Sequence, residues 1–133
     1  MIENVDHIAI VVEDLDSAEN NYKKIFGIEP VWRGKHTDLG TSNVLFNFEN
    51  TYLELLAANG AGIGADFVNN TISEKGEGLL GLVLGTKDIA SFRDNIFNSG
   101  FLLSDISNGH GINEQNEKRE WLYQFLPNEL TRG

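Results

Sequence analysis

The stretch DHIAIVVEDLDSAENNYKKIFG, residues 6–27, decides the fold when set beside LLGLVLGTKDIASFRDNIFNSG, residues 79–100, because the two read as one unit written twice. Each copy runs from an apolar strand to an Asp, then through an amphipathic helix that ends at a Gly. In the first copy the strand spans residues 5–12. Val5, His7, Ala9 and Val11 share one face while Ile8, Ile10 and Val12 share the other. Both faces are apolar apart from one imidazole, so the strand belongs in the middle of a sheet. Asp14 is placed to cap a helix over residues 15–26, where its carboxylate takes up N–H groups that a first turn leaves without partners. Leu15, Ala18, Tyr22 and then Ile25 or Phe26 recur at spacings of three and four, which gives that helix one apolar stripe. Gly27 supplies a left-handed terminus, and Pro30 keeps the helix from resuming.

Outward from this unit, alternation predicts strands over residues 31–35, 43–48 and 52–56, the last two joined by a short turn around Glu49 and Asn50. Residues 58–77 form a Gly- and Asn-rich connector with a helix over 64–74, anchored by Ile63, Phe67, Val68 and Ile72. The second copy has a strand over 79–84, a helix over 89–98 behind Asp88 and ahead of Gly100, and a strand over 102–106. SNGHGINEQNEKR, residues 107–119, reads as a polar, mobile segment; a strand over 120–126 and a turn over 127–133 follow. The chain thus divides into a first module, 1–58, a connector, 59–77, and a second module, 78–133, which together make one domain. The first module has four strands and the second three. A sheet short of one strand leaves an edge of unpaired backbone groups, which chain beyond Gly133 or a second copy is expected to cover.

Composition removes several function classes. A chain of 133 residues, 41% hydrophobic, buries a sizeable core. It has no apolar run long enough to cross a membrane, and its first residues, MIENVDHIAI, lack the basic flank of a signal peptide, so a cytoplasmic protein is expected. Without cysteine there is neither thiolate chemistry nor a zinc finger; any metal would need imidazole, carboxylate, carbonyl or water ligands. The net charge of −10 repels a phosphate backbone and argues against nucleic acid as a partner.

Two residues break the apolar pattern where chemistry would need them. His7 sits inside the first strand, and Glu54 sits inside YLELL, residues 52–56. A carboxylate in an apolar strand must find a cation, hydrogen-bond donors or a proton. Each also has an ordinary explanation: His7 as a core histidine bonded to backbone, Glu54 as the partner of Arg33 or Arg119 on a sheet surface. His36 and His110 fall in predicted turns and loops, where a solvated role is expected. Asn43, Tyr52 and Trp121 are candidates for lining a ligand pocket, although aromatic residues alternating on strands more often serve a core or a sheet face. GAGIG, residues 60–64, lacks the Lys and Ser or Thr of a nucleotide-binding loop.

The duplicated strand–helix–three-strand pattern, with His7, the EDL turn, the helix end at Tyr22 to Gly27 and YLELL in that order, resembles the vicinal oxygen chelate superfamily, the glyoxalase-like fold. The resemblance implies an α+β architecture in which two βαβββ modules pair into a curved mixed sheet around a concave cleft. It implies a divalent metal in that cleft, such as zinc, nickel, manganese, cobalt or iron, held by the first and fourth strands of each module. His7 matches the first-strand ligand and Glu54 the fourth-strand ligand, with Glu54 also the candidate catalytic base. Gly81, in GLVL, stands where the second module would carry a His, and the remaining ligand would lie on the strand this chain lacks. The implied function is a small-molecule lyase, isomerase or oxygenase. The alternative is a metal-free module that binds or sequesters a small ligand. In this superfamily modules from two chains often build one cleft, so a homodimer is expected.

Overall fold

In the computed structural model, which describes residues 1–131, β1 (Asn4–Val11), α1 (Leu15–Phe26), β2 (Trp32–His36), β3 (Thr41–Asn47) and β4 (Tyr52–Ala58) form the first unit. The helix α2 (Ile63–Lys75) connects it to β5 (Gly78–Gly85), α3 (Ile89–Asn98), β6 (Ser107–Asn113), β7 (Lys118–Tyr123) and the single turn α4 (Asn128–Thr131). All seven strands join one curled α+β sheet in the order β5-β1-β4-β3-β2-β6-β7. β1 is an interior strand, second from the β5 edge and not at the middle of the sheet, and pairs parallel with β4 and antiparallel with β5. The second unit is split: β5 lies beyond β1, while the β6–β7 hairpin lies beyond β2 at the other end. The two open edges of the sheet are therefore β5 and β7.

Two expectations are corrected here. No strand forms over 102–106, and the polar stretch 107–119 is not a loose segment but β6, a turn and the start of β7. The buried positions of β6 are Gly109, Gly111 and Asn113, so a search for alternating large apolar residues passes over it. A Cβ on Gly109 would lie 2.2 Å from the Trp121 indole, which packs where a side chain would have been. Asn113 then folds the turn, its side-chain oxygen accepting from the Gln115 and Glu117 backbone N–H groups at 3.0 and 2.8 Å. The turn expected over 127–133 includes the helical turn α4, and its last two residues lie outside the described residues.

The helix-covered face carries the core. Phe46, Val44 and Leu55 are fully buried, and Ala18, Tyr22 and Phe26 of α1 pack against them through edge-on ring contacts such as Phe26 on Phe46 at 5.7 Å. The Asp14 carboxylate accepts from the Ser17 backbone N–H at 2.9 Å, and Gly27 closes α1 at φ 68°. Two of the glycines of GAGIG, Gly62 and Gly64, serve close approach to Leu39. A Cβ on Gly62 would lie 2.6 Å from the Leu39 backbone, and the Ala65 N–H donates to the Leu39 carbonyl at 2.9 Å, docking the start of α2 on the β2–β3 turn.

Candidate functional site

Period-two geometry on a sheet sets which residues share the other, concave face. His7 pairs opposite Tyr52, Ala9 opposite Glu54 and Glu54 opposite Leu45. Trp32 lies opposite Leu45, Gly34 opposite Asn43, and His36 opposite Thr41. Four strands thus deliver His7, Tyr52, Glu54, Asn43, Trp32 and His36 to one surface, turned away from α1.

These groups form a continuous hydrogen-bonded chain. Asp6 Oδ2 lies 2.8 Å from His7 Nδ1, and His7 Nε2 lies 3.2 Å from Glu54 Oε2. The Asn43 amide donates to Glu54 Oε1 at 2.8 Å and faces His36 Nε2 at 3.4 Å, while His36 Nδ1 is 2.9 Å from the Thr41 hydroxyl. The Trp32 indole N–H donates to the Asn43 carbonyl oxygen at 3.1 Å, which fixes the orientation of that amide. With the amide so turned, its NH₂ donates toward His36 Nε2, so the His36 proton sits on Nδ1 and donates to Thr41.

Burial and partners charge the two histidines differently. Burial lowers the His7 pKa, but hydrogen bonds and charge from Glu54 and Asp6 outweigh it and hold the value above the ordinary 6.5. His36 is displaced downward by burial, only partly opposed by the Glu54 charge, so it is neutral near pH 7. Burial acts to raise Glu54, yet hydrogen bonds from His7 and Asn43 and the nearby imidazoles hold it below its ordinary 4.5. The cleft therefore contains an ionised carboxylate and two imidazoles displaced in opposite directions, His7 toward its protonated form and His36 toward its neutral one. Tyr52 stacks on His7 with ring centroids 4.5 Å apart, and burial together with Asp6 pushes its phenol far above the usual range.

The expected pair, His7 and Glu54, is brought together, with Asn43 and Tyr52 beside it. Trp121 lies further along, its ring edge-on to His36 at 5.6 Å. His36 itself was expected to be solvated in a loop; it is the last residue of β2 and only 8% exposed. A strand extended by one residue past 35 would have placed it, by parity with Trp32 and Gly34, on the cleft face. Arg33 and Arg119 do not pair with Glu54: Arg33 instead holds Asp16, Glu19 and Glu114 on the helix-covered side. His110 is exposed beside Glu120 at 3.7 Å. Trp32 was not singled out from the sequence, and Arg119, named there only as a possible partner of Glu54, instead lies 4.3 Å above the Trp32 ring. Their signal was again strand parity.

The donor set does not fit a divalent metal. Among the described residues no group of three or more His, Cys, Asp and Glu is placed to hold one. His7 Nε2 and Glu54 Oε2 are engaged with each other, His7 Nδ1 with Asp6, and a Cβ at Gly81 would meet nothing within 4 Å. Two protein ligands already bonded to one another leave an ion short of the three or four a stable site uses.

A family model described as "Glyoxalase-like domain" matches residues 5–132. A comparison with curated protein sequences gives no match. Among solved structures, a Streptomyces coelicolor methylmalonyl-CoA epimerase variant in complex with 2-nitronate-propionyl-CoA is similar at TM-score 0.66 and 18% identity, covering 92% of this chain and 94% of that one. The Mycobacterium tuberculosis methylmalonyl-CoA epimerase gives TM-score 0.69 and 18% identity over 99% and 93%. A hypothetical protein from Staphylococcus aureus gives 0.69 and 20%, covering 91% of this chain and 52% of that one. At these identities the likeness is one of fold.

Proposed function

The chain belongs to the glyoxalase-like domain family, and from that premise we propose that its cleft catalyses proton transfer at a carbon next to a carbonyl, an isomerase reaction on a small acyl compound. The observation that carries this reading is the His7–Glu54 contact of 3.2 Å on the concave face, where each group shifts the other toward its charged form. Epimerase neighbours of the same fold support it.

Glu54 takes the α-proton, the His7 imidazole N–H donates a hydrogen bond to the oxygen of the enolate that results, and the proton on Glu54 then returns to the enolate carbon, restoring the carboxylate. The two roles are coupled. In the free cleft the carboxylate is stabilised by His7 and is a weak base. When the imidazole N–H turns to the substrate oxygen, Glu54 loses that donor and its basicity rises as the negative charge moves onto the substrate. Asn43 holds Glu54 Oε1 throughout, and Trp32 holds Asn43.

Solvent deuterium exchange into the α-carbon of acyl thioesters and 2-substituted acids, followed by proton NMR, tests this directly. Glu54→Gln is expected to lower the exchange rate by roughly a hundredfold to ten-thousandfold, the usual contribution of a positioned base. Exchange that is equally fast in the variant removes Glu54 from the role.

A second reading, a module that holds a small ligand without turning it over, is favoured by one observation: both Glu54 oxygens already have partners, as a purely structural carboxylate would. Saturable binding with no exchange in any substrate would select it. For the assembly we propose a homodimer joined through β5, an edge strand without a charged residue in a chain of net charge −10. Light scattering across a dilution series tests it.

A further inference from the structure

We propose that Arg119 is the anchor for a carboxylate carried by the substrate, which makes the ligand of this cleft a small organic acid bound at its far end from the reacting carbon. Arg119 lies opposite Gly111 in the β6–β7 register, two residues from Trp121, and so faces the cleft from the hairpin. Its guanidinium carbon sits 4.3 Å above the Trp32 ring. That ring is rigid: Trp32 is 5% exposed, and its N–H is bonded to Asn43. Gly34 leaves it room, since a Cβ there would meet the indole nitrogen at 2.5 Å. A guanidinium laid on an indole keeps its N–H edge free, and that edge matches a planar carboxylate through two parallel hydrogen bonds.

Arg119 is exposed and, like Lys24, Lys35, Lys75 and Lys118, has no carboxylate partner among the described residues; its seat on the Trp32 ring is what sets it apart. Arg33 holds three carboxylates and Arg93 holds one. An unpaired cation at a cleft whose floor is Glu54 suits a ligand with one negative charge. The path from anchor to base is short: Arg119 rests on Trp32, Trp32 bonds Asn43, and Asn43 bonds Glu54. Trp121, on the same face of β7, offers an apolar wall beside it.

The assignment rests on reading this cleft as the site of the reaction, and its test needs no turnover. Both tryptophans of the chain, Trp32 and Trp121, face the cleft, so intrinsic fluorescence reports binding there. The probe is malonamate, with one carboxylate and one amide carbonyl; its neutral isostere malonamide is the control. Malonamate is expected to give a saturable change and malonamide none. Arg119→Gln should weaken malonamate binding by roughly tenfold to a hundredfold, the value of a charge-assisted pair, with Arg119→Lys between the two. Lys118→Gln, on the opposite face of β7, should leave binding unchanged. No saturable signal in the native protein, equal binding of malonamide, tighter binding of inorganic phosphate than of malonamate, or unchanged affinity in Arg119→Gln would each overturn the proposal. If Arg119→Gln binds normally while Glu54→Gln abolishes exchange, the anchor is wrong and the proton-transfer reading stands. If Arg119→Gln loses binding and the native protein exchanges no deuterium, the anchor stands and the reaction is wrong.

Discussion

α1 and α3 are spelled alike and end up in opposite conditions. Both begin at an Asp whose carboxylate accepts the N–H of a Ser three residues on, Ser17 and Ser91, each at 2.9 Å. α1 lays Ala18, Tyr22 and Phe26 on the core, whereas α3 buries no residue and leaves Phe97 62% exposed. The strands before them differ the same way. β1 is paired on both sides, while β5 is an edge with Leu79 and Leu82 at 68% and 60% exposure. An apolar stripe states what an element can bury; the neighbours decide whether it does. Beneath α1 lie β3 and β4, whereas β6 and β7, the strands that follow α3, pair at the opposite end of the sheet.

The widest separation between the two halves should appear in stability. Leu55→Ala or Phe46→Ala, at fully buried positions, is expected to cost about 3–5 kcal/mol in urea unfolding. Leu82→Ala should stay within about 0.5 kcal/mol. Comparable losses at both would break the contrast. Glycines sharpen it next: Gly34→Ala drives a Cβ into the Trp32 indole and the Ile112 carbonyl, each at 2.5 Å, and should cost about 1–3 kcal/mol with a shifted tryptophan emission. Gly81→Ala, with open space around its Cβ, should be close to neutral, about 0.5 kcal/mol or less either way.

A smaller effect separates the two histidines within the well-packed half. His7 has a folded-state pKa above 6.5, so its stabilising contribution is full below that value and is lost as pH rises through the raised one. His36 has a folded-state pKa below 6.5; the unfolded chain takes its proton first, and stability falls as pH drops under 6.5. Glu54 contributes above its ordinary 4.5, a contribution lost as pH falls through its lowered value. Urea midpoints measured between about pH 4 and pH 9 should therefore flatten on the alkaline side in His7→Gln and on the acid side in His36→Gln. Interchanged outcomes would reverse the charge assignment. The least change in monomer stability, under about 0.5 kcal/mol, is expected from Leu82→Lys, which should nonetheless weaken the proposed β5 dimer, raising the dissociation constant read by light scattering.

How legible the site was depended on how each residue advertised itself. His7 and Glu54 stood out because a polar group interrupts an apolar strand. His36 did not, because it falls at the last position of β2, where the strand end blurs into the turn. β6 was missed for a sharper reason: its hidden side is glycine and asparagine, and the apolar mass covering it, Trp121, comes from the next strand.

The sequence by itself determined the duplicated strand–helix order, the caps at Asp14 and Asp88, the interior place of β1 and the polar interruptions of β1 and β4 at His7 and Glu54, since these follow from local periodicity and capping chemistry. Only the tertiary structure decided that β5 and the β6–β7 hairpin part to opposite ends of one sheet, and that Trp32, His36 and Arg119 join the pair in the cleft. Strand partners are chosen by pairing between residues far apart in the chain, and no local pattern carries that choice.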